Sequence, residues 1–218
     1  MPSVRPSRLP GLLIAACATS QLGAAELVVR DIGLGLQMQP SDFSYTVESP
    51  SVTTSGSDGF DSGYGIVVRG LYSFTGAGDR HGFLAGLGLG YAQYAYDQSG
   101  ELVTYGIDGG GGYGFAVTDQ LHLSAMARLG LGVAHLELPD SGAFPAFSAD
   151  GASLSYGVEF GIGYQITERL VIGADLGYRQ DNYVLAGTHD IDVTLDNTGF
   201  VGTLSVCWRL AVTPWRLE

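Results

Sequence analysis

Four histidines are the side chains of this sequence best suited to proton transfer near neutral pH. They are His81, His122, His135 and His189. His135 and Glu137 share one strand parity, so both should point to the same side of a β-strand. A lipid-modifying enzyme would need such a pair beside an activated serine, and no G-x-S-x-G motif positions one. We therefore expect no catalytic residues, and a lipid-modifying enzyme is the least favoured of three functional alternatives.

Acidic residues near the end of the sequence have a spacing that can bind calcium through oxygen atoms. Asp190 and Asp192 form an Asp-x-Asp pair, and Asp196 follows. The segment lacks the glycine and the final glutamate of an EF-hand loop, so we predict a solvated acidic loop. Gly86 and Gly88 form one of several Gly-x-Gly pairs, but these precede no predicted helix and do not indicate a nucleotide site. The sequence predicts no metal and no cofactor.

Most other charged residues lie in segments where apolar and polar residues alternate with the period of a β-strand. In residues 153–166 every second position is apolar or aromatic, and the positions between are mostly small or polar. We predict eight strands, at residues 27–38, 60–75, 82–96, 102–117, 120–137, 153–166, 169–184 and 197–210. The long connections, at residues 39–59, 138–152 and 185–196, fall at one end of these strands. An even number of strands with short turns at one end is typical of an antiparallel up-and-down transmembrane barrel.

Composition limits the classes of protein that these strands can build. The chain has 218 residues, of which 45% are hydrophobic and 15% charged, with 34 glycines. These values exclude a disordered chain and a coiled coil. The formal net charge is -12, and all basic residues are arginine, so nucleic acid is not an expected partner.

Alternation alone does not say which face of a barrel points inward, because a lipocalin-like barrel also has eight strands. The polar positions carry glycine, serine, alanine and isolated charges rather than the residues of a water-facing surface. The apolar positions carry aromatic residues toward both ends of the strands, as the two interfaces of a bilayer require. The aromatic residues toward the long loops are Phe60, Tyr64, Tyr91, Tyr105, Tyr156 and Tyr178. We therefore predict that lipid covers the apolar face.

The polar face then lines the interior and carries charges of both signs. Hairpin pairing places Glu159 nearly opposite Asp175, where Arg128 and Arg69 would neutralise the two carboxylates. The interior of an eight-stranded barrel is just wide enough for side chains to fill. We predict a lumen plugged by an ionic network, with a small low-conductance channel as the alternative. The predicted network is Asp31, Arg69, Asp108, Arg128, Glu159, Asp175 and Arg179.

Two hairpins share a sequence frame and strengthen this interpretation. Residues 112–121 and 161–170 both read G-x-G-aromatic-x-aliphatic-Thr-acid-x-Leu, which is the end of one strand, a tight turn and the start of the next. With the eight alternating strands, this resembles the OmpA/OmpX-type outer-membrane β-barrels, which include the opacity-protein-like barrels. The resemblance covers nearly all of the chain after residue 25. It implies a Gram-negative outer membrane, contact with outer-membrane lipid and lipopolysaccharide, and biogenesis through periplasmic chaperones and the barrel-assembly machinery.

Residues 1–25 have the organisation of a signal peptide. Arg5 and Arg8 precede a short apolar stretch at 11–18, and small residues occupy 23–25. We expect cleavage before Glu26, which leaves residues 26–218 as the barrel domain. In the alternative, residues 14–17 resemble a bacterial lipobox and Cys17 carries a lipid.

The function expected from the sequence is a non-enzymatic outer-membrane barrel with a structural or surface-interaction role of the adhesin kind. An extracellular partner would contact the long loops at 39–59 and 138–152. The first loop is rich in serine and threonine, and the second places Phe144 and Phe147 around Pro145.

Overall fold

The computed structural model describes residues 28–39, 42–58, 60–61, 63–74, 80–96, 100–140 and 146–210. The predicted signal peptide, Cys17 and Phe144 lie outside these residues. The strands are β1 Val28–Gln39, β2 Phe43–Glu48, β3 Thr53–Asp58, β4 Gly63–Ser73, β5 His81–Tyr96, β6 Gly100–Ala116, β7 Leu121–Leu138, β8 Phe147–Gln165, β9 Leu170–Gly187 and β10 Asp192–Arg209. A single-turn 3-10 helix, Thr188–Asp190, joins β9 to β10. No helix among the described residues is long and apolar enough to cross a membrane.

Eight of the strands form a closed antiparallel ring, which confirms the predicted fold class. β1 pairs with β4, and β4 to β10 then pair in chain order. The ring closes where β1 meets β10, in a register that runs from Asp31 opposite Arg209 to Met38 opposite Gly202. We call the end with the tight turns at 117–120 and 166–169 the turn end, and the opposite end the loop end.

The loop end contains more strand than the sequence predicted. β2 and β3 form a hairpin inside the segment expected to be the loop 39–59, and β2 pairs with β10 beyond the point where β1 stops. β8 begins at Phe147, inside the predicted loop 138–152. β9 and β10 leave only residues 188–191 of the predicted loop 185–196. β8, β9 and β10 extend beyond their predicted ends at the loop end, where outward positions such as Asp150 and Asp192 are polar.

The ring has an apolar outer band and a polar interior over its turn-end and middle parts. Leu36, Phe160 and Leu204 are 65%, 65% and 69% exposed, and they alternate with inward residues along their strands. A water-soluble barrel would bury such side chains, because each buried leucine or phenylalanine contributes about 1.5–3 kcal/mol. The exposed apolar band therefore fits a protein whose surrounding medium is lipid.

The interior becomes apolar toward the loop end. A buried cluster of apolar side chains lies there, and Phe147 packs against it. Phe60 belongs to this cluster and is only 8% exposed, so its predicted place in the lipid-facing girdle is wrong. Phe60 lies beside the ring of Phe43, at a centroid distance of 4.4 Å. The members of this loop-end core are Phe43, Phe60, Ala92, Tyr94, Leu102, Ala134, Leu136, Ala149, Tyr183, Leu185, Val193 and Leu195.

Candidate functional site

Five of the seven predicted network residues meet inside the ring, and each comes from a different strand. Arg69 lies on β4, Asp108 on β6, Arg128 on β7, Glu159 on β8 and Asp175 on β9. Inward parity brings them together, because each occupies the face opposite the apolar band. We call these five residues the central network. It contains two arginines and three carboxylates.

Arg128 is the arginine that the network holds most firmly. Its Nη1 donates to Asp108 Oδ1 at 2.6 Å, and its Nε donates to Glu159 Oε1 at 3.2 Å. Its Nη2 lies 3.1 Å from the same oxygen of Glu159. The side chains of Arg128 and Glu159 are both 13% exposed. Arg128 therefore joins β6 to β8 through charge-assisted hydrogen bonds in a setting that screens them weakly.

Arg69 is held more loosely. Its Nη1 lies 3.0 Å from Glu159 Oε2 and 3.8 Å from Asp175 Oδ2. Neither its Nη1 nor its Nε makes a hydrogen bond of acceptable geometry, although both atoms are buried. A short separation between donor and acceptor with a poor angle makes only a weak hydrogen bond. Arg69 thus balances the charge of two carboxylates without being locked to either.

Glycines on the inward face make room for these side chains. A Cβ at Gly88 would lie 2.3 Å from Asp108 Oδ2, and a Cβ at Gly161 would lie 2.3 Å from Asp175 Oδ1. The polar parity of the strands is rich in glycine because a narrow lumen must hold long charged side chains.

The other two predicted network residues belong to separate groups. Asp31 lies near the turn end, where it contacts Arg30 and Arg209. Arg179 lies nearer the loop end, where its Nε is 2.9 Å from Asp181 Oδ1. Next to this pair, Tyr94 donates a hydrogen bond to Gln39, and Gln39 donates one to Gln37. The seven residues are therefore distributed over three heights of the lumen.

Two cavities lie on either side of the central network. The cavity toward the loop end has a volume of about 100 Å³, and Gln37, Thr104 and Asp181 are among its lining residues. The cavity toward the turn end has a volume of about 120 Å³ and is lined in part by Arg30 and His122. Arg69, Arg128 and Glu159 line both cavities, so the central network is the wall between them.

His135 lies on the outer surface at the loop end, beyond Val133, the last exposed apolar residue of β7. Its Nε2 is 2.9 Å from Glu137 Oε1, and its Nδ1 is 2.6 Å from Asp150 Oδ1. Hydrogen bonds to Glu137 and then Asp150 raise the pKa of His135 above its ordinary value. Both ring nitrogens already face carboxylates, so neither is left to accept a proton from a serine.

Metal ligation has little support in the part of the chain that the structure describes. Those residues contain no group of three or more histidine, cysteine, aspartate or glutamate side chains arranged to hold an ion. Asp192 and Asp196 lie on β10, and Asp190 has a φ of 56° at the end of the short loop before that strand.

The sequence interpretation missed several charged or polar interior residues. Arg30 has outward parity by simple counting, but β1 contains a bulge between Val29 and Asp31. A bulge adds one residue to a strand and redirects its side chain, so Arg30 lines the turn-end cavity. Asp181 and Gln37 have inward parity within the predicted strands, and Gln39 continues that parity one residue beyond the predicted end of the first strand.

Comparison with known proteins gives a likeness in structure. No family model matches the chain, and no curated protein is significantly similar to it in sequence. The outer membrane protein OprG from Pseudomonas aeruginosa matches with a TM-score of 0.53 and 13% identity, over 88% of this chain and 99% of OprG. Ail, the attachment invasion locus protein of Yersinia pestis, matches with a TM-score of 0.42 and 17% identity, over 84% of this chain and 100% of Ail. The outer membrane protease OmpT from Escherichia coli gives a TM-score of 0.45 and 6% identity, over 87% of this chain and 100% of OmpT.

OprG is only 13% identical to this chain, so this match shows a shared fold and not a shared activity. The likeness to OprG together with the closed ring of eight strands agrees with the resemblance seen in the sequence. The chain therefore has the antiparallel up-and-down fold of the outer-membrane β-barrels of the OmpA, OmpX and opacity type.

Proposed function

We propose that this protein is an integral outer-membrane barrel with a structural or surface-interaction role, a closed lumen and no enzymatic activity. The observation that carries the proposal is the presence of packed side chains at successive heights of the lumen. The central network crosses the middle of the ring, and the loop-end core packs above it. The apolar outer band supports an outer-membrane location, in contact with lipid and lipopolysaccharide.

The loop end supports a surface-interaction role. The β2–β3 hairpin extends the wall above the band, and its tip at Ser49 is closed by a backbone hydrogen bond of 2.9 Å to Val52. Outward residues of the described loop end include many carboxylates, whereas the arginine there, Arg179, points inward. Such a surface would attract partners of basic character. The acidic residues are Asp42, Glu48, Asp61, Glu101, Glu137, Asp140, Asp150, Asp190, Asp192 and Asp196.

The environment of His135 supports a non-enzymatic role. A serine nucleophile needs a histidine nitrogen that faces it, while a carboxylate orients the other nitrogen. In this protein carboxylates take both nitrogens of His135. The pair His135 and Glu137 therefore acts as part of a polar rim.

A low-conductance channel is the second candidate function, and the two cavities favour it. The central network separates them in the middle of the lumen, together with Val67, and Arg69 is loosely bonded in that network. Movement of Arg69 toward one side would join the cavities. The loop-end core would still have to open before ions could cross the whole barrel.

Single-channel recording of the refolded protein in planar bilayers separates these two functions. We expect no conductance from the wild type, from Arg69→Ala or from the exposed control Arg169→Ala. Steady wild-type conductance that changes in Arg69→Ala but not in Arg169→Ala would overturn the closed lumen and assign a channel. Heat-modifiable migration on gels would establish that each variant is folded.

A second experiment, on variants in cells, distinguishes a surface-interaction role from a purely structural one. Residues 44–57 can be replaced by a short glycine-serine linker, because β2 pairs with β10 outside the eight-stranded ring. If the role is surface interaction, cells with this variant lose adhesion but keep their resistance to detergents. If the role is structural, deletion of the whole protein sensitises the envelope and the hairpin variant does not.

A further inference from the structure

The turn-end cavity has basic side chains on its turn side, while Glu159 and Asp175 of the central network line its other side. Asp31 accepts contacts from two arginines: Arg30 Nε at 3.2 Å from Oδ2, and Arg209 Nε at 3.2 Å from Oδ1. Gln165 accepts a further hydrogen bond from Arg209 Nη1 at 2.5 Å but carries no charge. Two guanidinium groups therefore share one carboxylate, which leaves one positive charge in excess.

Two buried nitrogen atoms in this region lack hydrogen-bond partners. His122 and Arg209 are each only 8% exposed, and His122 Nε2 and Arg209 Nη2 have no partner among the described residues. His122, Arg30 and Asp31 line the same cavity, and Arg209 contacts Asp31. Buried polar groups without partners are costly, so an unpartnered buried nitrogen at a cavity calls for an explanation.

The backbone is arranged to produce this basic wall. The bulge in β1 turns Arg30 from the lipid-facing side into the lumen, where it lines the cavity together with His122. Without the bulge, Arg30 would follow the parity of Ile32 and Leu34, which are exposed on the apolar band. Bulges commonly redirect a side chain for a purpose other than sheet pairing.

The cavity can hold a small ligand beside these groups. Its volume of about 120 Å³ exceeds the space of about 30 Å³ that one water molecule occupies in the liquid. Hydroxyl groups of Ser124, Thr203 and Ser205 also line it and can donate hydrogen bonds. A positively charged group of side chains, an unpartnered buried nitrogen on His122 and hydroxyl donors on one side of the cavity together match a tetrahedral oxyanion.

We propose that the turn-end cavity binds a phosphate group through Arg30 and His122, with Arg209 adding positive charge through its contact with Asp31. The phosphate belongs either to free inorganic phosphate or to a lipid headgroup that enters from the turn end. The site is independent of whether the lumen conducts ions, because it lies on the turn-end side of the central network.

Binding of inorganic phosphate to the refolded protein in phosphate-free detergent tests this proposal, by calorimetry at fixed pH and constant chloride. We expect saturable binding with a stoichiometry of one. Arg30→Ala should weaken it at least tenfold, and this variant should fold because Asp31 keeps Arg209 as a partner. The control Arg169→Ala removes the same charge from an exposed turn at the same end and should change the affinity less than twofold.

Two results would overturn the site: no saturable binding by the wild type, or equal weakening by Arg30→Ala and Arg169→Ala. If Arg30→Ala does not refold, His122→Gln provides the same comparison while keeping both arginine contacts of Asp31. A short-chain phosphatidylglycerol below its micellar concentration then identifies the source of the phosphate. Competition with inorganic phosphate assigns the site to a lipid headgroup, and lack of competition assigns it to free phosphate.

Discussion

Replacement of Arg128 by methionine should strongly destabilise the barrel. Arg128 contacts Asp108 at 2.6 Å and Glu159 at 3.1–3.2 Å, and the three side chains are between 13% and 20% exposed. Removing one partner of a buried ion pair costs about 3–5 kcal/mol, because the other partner keeps its charge without compensation. That loss corresponds to a roughly 100- to 5,000-fold change in the unfolding equilibrium constant.

The size of the destabilisation caused by Arg128→Met depends on the charge balance within the central network. The wild-type network has two arginines and three carboxylates, and Arg128→Met leaves one arginine with three carboxylates. The double variant Arg128→Met/Glu159→Gln restores the original difference of one negative charge. We therefore expect the double variant to be less destabilised than the single one, with a favourable coupling between the two positions.

Equilibrium urea unfolding in lipid vesicles, followed by tryptophan fluorescence, measures these differences. Arg169→Met is the matched control, since its side chain is exposed in a turn and should change the free energy of unfolding by less than about 0.5 kcal/mol. A loss below about 1 kcal/mol in Arg128→Met would show that the central network does not stabilise the fold. A double variant as unstable as the sum of its single variants would refute the argument from charge balance.

Three further predictions concern other parts of the molecule. Phe43→Ala should loosen the loop-end core and increase hydrogen exchange in the β2–β3 hairpin while the eight-stranded ring stays intact, since Phe43 is 1% exposed and contacts three aromatic rings; exchange that spreads evenly over all strands would contradict this. NMR titration should give His135 a pKa above 6.5. The ion pairs of protonated His135 with the two neighbouring carboxylates then contribute to stability at pH values below this pKa, and the contribution is lost as pH rises through the raised pKa. A pKa at or below 6.5 would disprove their role. Gly88→Val should reduce the folded yield, because a Cβ there lies 2.3 Å from Asp108 Oδ2, and heat-modifiable migration equal to wild type would show that the lumen has spare room.

The eight-stranded ring could be predicted from the sequence because apolar residues keep one parity along the strands and small or polar residues keep the other. Leu154 to Ile166 keep the apolar parity over the whole width of the band, as a strand between lipid and a lumen requires. The other parity placed Arg69, Asp108, Arg128, Glu159 and Asp175 in the interior. Their contacts then follow from ring closure, since an eight-stranded lumen leaves long side chains few other positions.

The loop end and the turn-end cavity could not be predicted with the same rule. Phe60 is apolar and near a strand end, which suited a lipid-facing girdle, yet it lies in the loop-end core. Arg30 has outward parity, but the bulge redirects it inward. In both cases the side chain's direction depends on where the strand pairing shifts or where lipid ends, and neither feature is a property of local alternation.

Along the long strands, apolar side chains point outward in the middle of the barrel and inward toward the loop end, so the two faces exchange polarity. On β7, the outward residues Leu129, Leu131 and Val133 are apolar, and the next outward residues are His135 and Glu137. The inward side changes in the opposite sense: Arg128 is charged, whereas Ala134 and Leu136 belong to the buried loop-end core.

The same exchange occurs on β10, where the outward residue Phe200 is exposed and the inward residues Val193 and Leu195 are buried. A strand in lipid must place its apolar side chains outward, and a strand in water must bury them. On these two strands the height of the exchange is where we expect the membrane boundary. Beyond it the described barrel wall and the β2–β3 hairpin pack around an apolar core, as a water-soluble sheet does. The Arg179–Asp181 pair lies toward this core, whereas the middle of the interior holds the paired charges of the central network.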